Sequence, residues 1–195
     1  MNIDRLIQIK SNDLKPAKGR VLLSEPFMGD YYFGRSVVLL AEHNKEGSMG
    51  IILNKPISTQ LNDVVQDFPE INLPLYLGGP VENNRLFYIH TINDKISDSI
   101  EVAKNLYWGG KLDDIIELAN LGLLNNENIR FFLGYSGWSG QQLDSELKKN
   151  SWAITPITAY QIFHIKPELL WKKLTRQLGA DYRLWNKFPV NPSNN

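Results

Sequence analysis

The sequence predicts an α+β fold, on three observations. Strand-length apolar runs and amphipathic helical stretches are interspersed, but not as regular βαβ units. Two pairs of apolar runs, at 35–55 and 74–92, are joined by short turns, which implies antiparallel pairing. No internal repeat, linker or low-complexity stretch interrupts the chain before its last residues.

The elements follow in order. Ile3, Leu6, Ile7 and Lys10 sit at helical spacing and predict a short N-terminal helix, part of an extension over 1–18. RVLLSEP (20–26) reads as a first strand. RSVVLLAEH (35–43) is a second, and its unbroken VVLL predicts cover on both faces. NKEG (44–47) has turn chemistry and MGIILNK (49–55) returns, which makes a hairpin. Ser58 or Thr59 can cap a short helix over Leu61, Val64, Val65 and Phe68. PLYLGGP (74–80) is a strand ending in a turn, and LFYIHTI (86–92) is another. Residues 96–102 alternate with a strand period, and NLYWGG (105–110) is a turn into a helix that Gly122 ends. IRFFLGYSG (129–137) is a buried strand. A helix over 139–149 follows, with Ser139 as N-cap and Gln142 in the capping-box position. SWAITPI (151–157) is extended, residues 167–179 are a helix with Pro167 in its first turn, and 189–195 form a tail.

Length and composition suit one globular domain spanning 1–195. Of 195 residues, 43% are hydrophobic and 22% charged, and 21 basic side chains balance 21 acidic ones. These values exclude wholesale disorder and a collagen-like repeat. They argue against nucleic-acid coating driven by total charge, while a local basic face stays open. With no cysteine there is no disulfide, thiolate nucleophile or Cys-ligated metal. The N-terminus lacks a signal-peptide apolar core, and no run reaches the ~18–20 apolar residues of a membrane span. A cytoplasmic protein is expected.

Four stretches carry a resemblance. They are RVLLSEPFMGDYYFGRSVVLLAEHNKEGSMGIILNKP (20–56), LYLGGPVENNRLFYIHT (75–91), RFFLGYSGWSGQQLDSELKKNSWAI (130–154) and the end of the chain from Leu170 to Pro192. Together, in this order and spacing, they are similar to the YqgE/AlgH family of bacterial proteins. The resemblance implies a bent or bifurcated, mostly antiparallel sheet curled into a pseudo-barrel and flanked by helices. It carries a transcriptional-regulator label with no established chemistry.

GYSGWSGQQLDSEL (134–147) is the densest candidate for function. A strand ends, three glycines permit tight turning, and a helix starts where free N–H groups favour an anion. Trp138 can stack on a ring and Gln141 can hydrogen-bond it. A groove between this segment and the Gly78-Gly79 turn would be lined by Gly78, Gly79, Ser136, Gly137, Trp138 and Gln141. The competing reading makes the glycines turn residues, Trp138 a core plug and Ser139 a cap. The ligand would be a small anion or a protein segment, with no cofactor.

Three alternatives accompany it. Ser136, followed by Asp144 and His164, copies the chain order of a hydrolase triad, but Trp138 stands where the elbow's second glycine belongs. His43, beside Glu42, is a second route to a hydrolase. His43, His90 and Asn54 fall in the family-like stretches; each histidine reads more simply as a satisfied structural group, and Asn54, before Lys55-Pro56, as a turn former. No histidine pair has metal-ligand spacing. Lys172, Lys173, Arg176, Arg183 and Lys187, interleaved with Trp171, Tyr182 and Trp185, make a basic stretch suited to nucleic acid. Tyr31, Tyr32 and Phe33 cannot all point inward, so one of them is expected at the surface.

Overall fold

A computed structural model describes residues 12–188. The expected helix over 1–10 and the tail from 189 lie outside them.

The first three strands are β1 (Arg20–Ser24), β2 (Val37–His43) and β3 (Gly47–Ile52). They run antiparallel in sequence order, and β9 (Trp152–Pro156) joins the free edge of β1. The side chains of this half alternate between two cores, as a period of two requires. Val21, Leu23, Val37, Leu39, Ile51 and Leu53 face one core, while Leu22, Val38, Leu40 and Ile52 face another. All ten are fully buried, as the unbroken VVLL predicts.

The other half is built on β8 (Ile129–Ser139), flanked by β4 (Leu75–Leu77) and β5 (Val81–His90). β6 (Ile100–Ala103) and β7 (Leu106–Trp108) extend it beyond β5. The order is β6-β7-β5-β8-β3-β2-β1-β9, with β4 also on β8. The sheet is bent and ends at β6 and β9, so it does not close into a barrel. The fold is α+β.

One expected pairing is corrected. The runs at 74–92 are not a hairpin, because Phe131, Phe132 and Leu133 pair with β4 in parallel on one edge and with β5 antiparallel on the other. The chain passes from one edge of β8 to the other at Gly78-Gly79. It crosses so close that a Cβ at Gly79 would lie 2.2 Å from the Tyr135 carbonyl oxygen. Past the crossing, β3 takes over the edge that β4 leaves, pairing Gly47–Gly50 with residues 136–139. This shared edge is the bifurcation.

Gly134 makes the exchange workable. Its φ of 69° is in the left-handed region, and a Cβ there would meet the Gly79 oxygen at 2.6 Å. The irregular residue flips the alternation along β8. Phe132 packs into the first core before it, and Tyr135, of opposite parity, packs there after it.

Helices cover three surfaces. α1 (Leu112–Asn120) buries Ile115, Leu118 and Ala119 in a core shared with Phe68, Leu75 and Phe131. α2 (Gln142–Lys148) places Leu143 against Trp138, Trp152 and Ile154. α3 (Ala159–His164), α4 (Pro167–Gln177) and α5 (Ala180–Arg183), with a 3-10 turn over Leu184–Lys187, cover the first core through Phe163, Trp171, Leu174 and Trp185. The helix expected near 58–68 is reduced to a 3-10 turn at Leu61–Asp63, capped by Gln60 rather than Ser58 or Thr59. Residues 105–110, read as a turn, include β7. α3 has no counterpart among the expected elements, although Thr158 and Gln161 form its capping box. Tyr31 is the exposed member of its aromatic triplet, at 82%, while Tyr32 and Phe33 pack beside the Trp138 core.

Candidate functional site

The β2–β3 hairpin ends in a turn tied by the Asn44 side chain. Its Oδ1 accepts from the Glu46 and Gly47 amides at 2.8 and 3.1 Å. Across the hairpin His43 opposes Ser48, and their Nδ1 and Oγ atoms lie 2.8 Å apart. The end of β8 and the start of α2 close over this turn. Between them is a cleft of about 460 Å³ lined by His43, Lys45, Ser48, Ser139, Gln141 and Asp144, among others. A second depression of about 420 Å³ shares Asn44, Gly47, Ser48 and Ser139 with it and reaches Gly137 and Trp138.

Glu146 holds α2 in place. Its Oε2 accepts from the indole N–H of Trp138 at 2.9 Å and of Trp152 at 2.7 Å, and its Oε1 accepts from the Gln142 amide at 3.0 Å. Three neutral donors thus satisfy one carboxylate, each bond to the charged group being worth about 1.5–3 kcal/mol. Gln142 Oε1 in turn accepts from the Ser139 amide at 3.1 Å. The capping contact expected of Ser139 and Gln142 is therefore present, but Ser139 remains in β8 and the N-cap is Gln141. Gln141 has φ 66°, a left-handed backbone that costs a non-glycine residue about 1–3 kcal/mol.

The structure divides the expected groove. Gly78 and Gly79 lie in direct backbone contact with Gly134, Tyr135 and Ser136, which leaves no groove between the two turns. Ser136 is fully buried and donates to the Gly78 carbonyl at 3.1 Å, so its hydroxyl is closed to any substrate. Asp144 lines the hairpin cleft while His164 lines a different cavity, so the hydrolase chain order does not become a triad. Trp138 is 6% exposed and sits edge-on to Trp152 at 5.9 Å, a core plug rather than a stacking platform. The seven-residue α2, with Asp144 in its first turn, is no anion site of its own. Gln141 and His43 do converge on one cleft, and Gly137 borders its neighbour.

The other polar candidates are structural. Asn54 Oδ1 accepts from the Val37 amide at 2.8 Å and its Nδ2 donates to the Arg35 carbonyl at 3.0 Å, which pins the start of β2. His90 is fully buried, stacks on Tyr107 at 5.6 Å, and its Nε2 bonds the Gly109 carbonyl at 3.0 Å. Burial pushes its pKa below the ordinary histidine value.

At the C-terminal end, Lys172, Arg176, Arg183 and Lys187 line one concavity of about 480 Å³. Lys173 is exposed outside it. The interleaved aromatics are not available to bases, because Trp171, Tyr182 and Trp185 are 3%, 6% and 2% exposed. Ser48 and Glu146 were missed by sequence reasoning. Ser48 had a signal in its hairpin register opposite His43, whereas nothing in the sequence couples Glu146 to two tryptophans.

The AlgH-like family model matches residues 21–183. The chain belongs to the AlgH-like family. A UPF0301 protein of Bacteroides thetaiotaomicron is 43% identical over 197 aligned positions, covering 100% of both chains. A UPF0301 protein of Cytophaga hutchinsonii is 42% identical, covering 90% of this chain and 97% of its own. The solution structure of AlgH from Pseudomonas aeruginosa superposes with a TM-score of 0.71 at 26% identity, covering 93% of this chain and 98% of that one. The crystal structure of DIP2367 from Corynebacterium diphtheriae has a TM-score of 0.74 at 23% identity, over 96% and 100% of the two chains, a likeness of fold. The expected family is shown, while the chemistry of these AlgH-like relatives is not stated by their names. Among the described residues, no helix is long and apolar enough to cross a membrane.

Proposed function

We propose that the chain is a non-enzymatic binding protein that takes a small polar or anionic ligand in the hairpin cleft. The observation that carries this is the convergence of His43, Ser48, Ser139 and Gln141 on one concavity from separate segments of the chain. Lys45 supplies a positive charge to an anionic group, and hydroxyl, amide and imidazole groups supply directional bonds. A thermal-shift panel of nucleotides, sugar phosphates and carboxylates tests it. Stabilisation at 100 times the dissociation constant is about 2.7 kcal/mol. The expected result is a hit that Gln141→Ala and His43→Ala both remove. A hit unchanged in both variants, or a flat panel, overturns it.

A hydrolase reading would have to run through Ser48 and His43, since Ser136 is enclosed. A nucleophile pair needs a third group to orient its base. Among the described residues, the His43 ring has its hydrogen bond to Ser48 and no second one to orient it.

Nucleic-acid binding at the C-terminal concavity is a second reading. Its support is that the four cations there carry no ion pair among the described residues. It predicts DNA or RNA binding whose log affinity falls with log salt by about 0.7–0.9 per phosphate contacted. No anisotropy change at low salt rejects it.

A further inference from the structure

Arg130 is the second residue of β8 and is 5% exposed. A guanidinium has five N–H donors. Two are spent on the carbonyls of Leu53 at 3.0 Å and Ile162 at 2.8 Å. Its charge also lies over the Tyr76 ring at 4.5 Å and the Phe163 ring at 5.7 Å. No carboxylate among the described residues pairs with it; the ion pairs present are Arg85–Glu82 and Lys111–Asp98. Burial pushes the Arg130 pKa down. A buried cation without an anion is costly, and carbonyls and rings repay part of that cost.

Arg130 lines a cavity of about 240 Å³ that shares no lining residue with the hairpin cleft. Pro74, Ile129, Phe163 and Ile165 make much of its wall apolar. Exposed Lys166 adds a second cation, and Pro167 brings the N-terminal end of the eleven-residue α4 to the same cavity. The helix end adds positive potential to that of the two side chains, offset in part by Glu168 in its first turn. Asn126 contributes a neutral amide.

We propose that this cavity binds a small organic carboxylate, its carboxyl group on Arg130 and Lys166 and its apolar body against Ile129, Phe163 and Ile165. The planar guanidinium matches a carboxylate in a two-bond fork, which an ammonium cannot do. The apolar wall selects a carboxylic acid over inorganic phosphate. The small volume selects a short or single-ring acid over a nucleotide.

The test is an NMR titration of the full-length ¹⁵N-labelled chain with sodium benzoate, benzamide or sodium phosphate at constant ionic strength. Benzoate should give saturable shifts in the millimolar range, confined to amides around Ile129, Phe163 and Ile165. Benzamide and phosphate should bind at least about tenfold more weakly, a ratio that corresponds to about 1.4 kcal/mol. Lys166→Glu, at an exposed position, should keep the native spectrum and weaken benzoate by about tenfold or more. Arg130→Lys should do the same if it folds; if it does not, benzamide and the Lys166 variant still decide. Absence of saturation, equal binding of benzoate and benzamide, shifts confined to the hairpin cleft, or an unchanged Lys166→Glu variant would each overturn the proposal.

Discussion

Glu146 and Arg130, near the two ends of β8, each remove a formal charge from full solvation with no ion pair among the described residues. The half-buried carboxylate of Glu146 is met by three neutral N–H donors, two of them indoles, and both its oxygens are engaged. The Arg130 guanidinium is met by two carbonyls and two aromatic faces, with donors to spare beside a cavity. The two differ in how much of that hydrogen-bonding capacity the fold itself uses. Where its hydrogen-bonding capacity is spent inside the protein, the charge is a fastener. Where capacity remains and open space adjoins it, the same charge is a receptor.

The sharpest way to break this contrast is Arg130→Met, which keeps apolar bulk and deletes both charge-assisted bonds. The Leu53 and Ile162 carbonyls lose their guanidinium donor, and the expected loss is about 3 kcal/mol or more in urea unfolding. A loss below about 1 kcal/mol would mean that the stacked rings alone hold that end. Glu146→Gln comes next, at about 1–3 kcal/mol. A glutamine puts an N–H₂ group in place of one carboxylate oxygen, so either both indoles or Gln142 lose their acceptor. Near-ultraviolet circular dichroism of Trp138 and Trp152 should change with it. An unaltered tryptophan spectrum would show that packing, not the carboxylate, places α2.

A third test uses pH. His90 lies in β5 opposite Ile129, next to Arg130 in the pairing. Because burial lowers its pKa, the unfolded chain takes up the proton first as pH falls. The stability it contributes is complete above the ordinary histidine value of about 6.5 and is lost as pH drops below it. His90→Gln should flatten that part of the stability profile, measured by urea midpoints across the range. Equal slopes in the two proteins would mean that His90 does not control it. The smallest effect is expected for Ser136→Ala, at about 0.5–1.5 kcal/mol. The Gly78 oxygen keeps its bond from the Ile52 amide, so no acceptor is orphaned. Ligand response in the hairpin cleft should stay intact, and its loss would restore Ser136 to the site.

The legible and the illegible parts of this protein separate by the range of the forces involved. The β2–β3 hairpin, α1 and α4 follow from local periodicity and punctuation, and each stands within a few residues of its expected place. His43 and Gln141 were legible as candidates because they lie in motifs that match the family. Their convergence was not, because it needs the end of β8 to fold back on a hairpin ninety-odd residues earlier in the chain. Trp138 was misleading for the same reason. An exposed stacking ring and a core plug have the same local sequence, and what decides between them is Trp152 and Glu146 arriving from elsewhere.

By itself the sequence determined the α+β class, the family, the doubly covered strands around VVLL and the absence of thiol chemistry. These depend on composition and short periods, and a chain carries both before it folds. Tertiary structure alone decided that β8 inserts between β4 and β5, that Ser136 closes behind Gly78, and that Arg130 borders a cavity with no acid paired to it among the described residues. An alternating run records that a strand is buried, but neither its partner nor its edge. Those are set by backbone groups that meet across long loops, where a glycine crossing such as Gly79 looks like any other turn until the strand it crosses is in place.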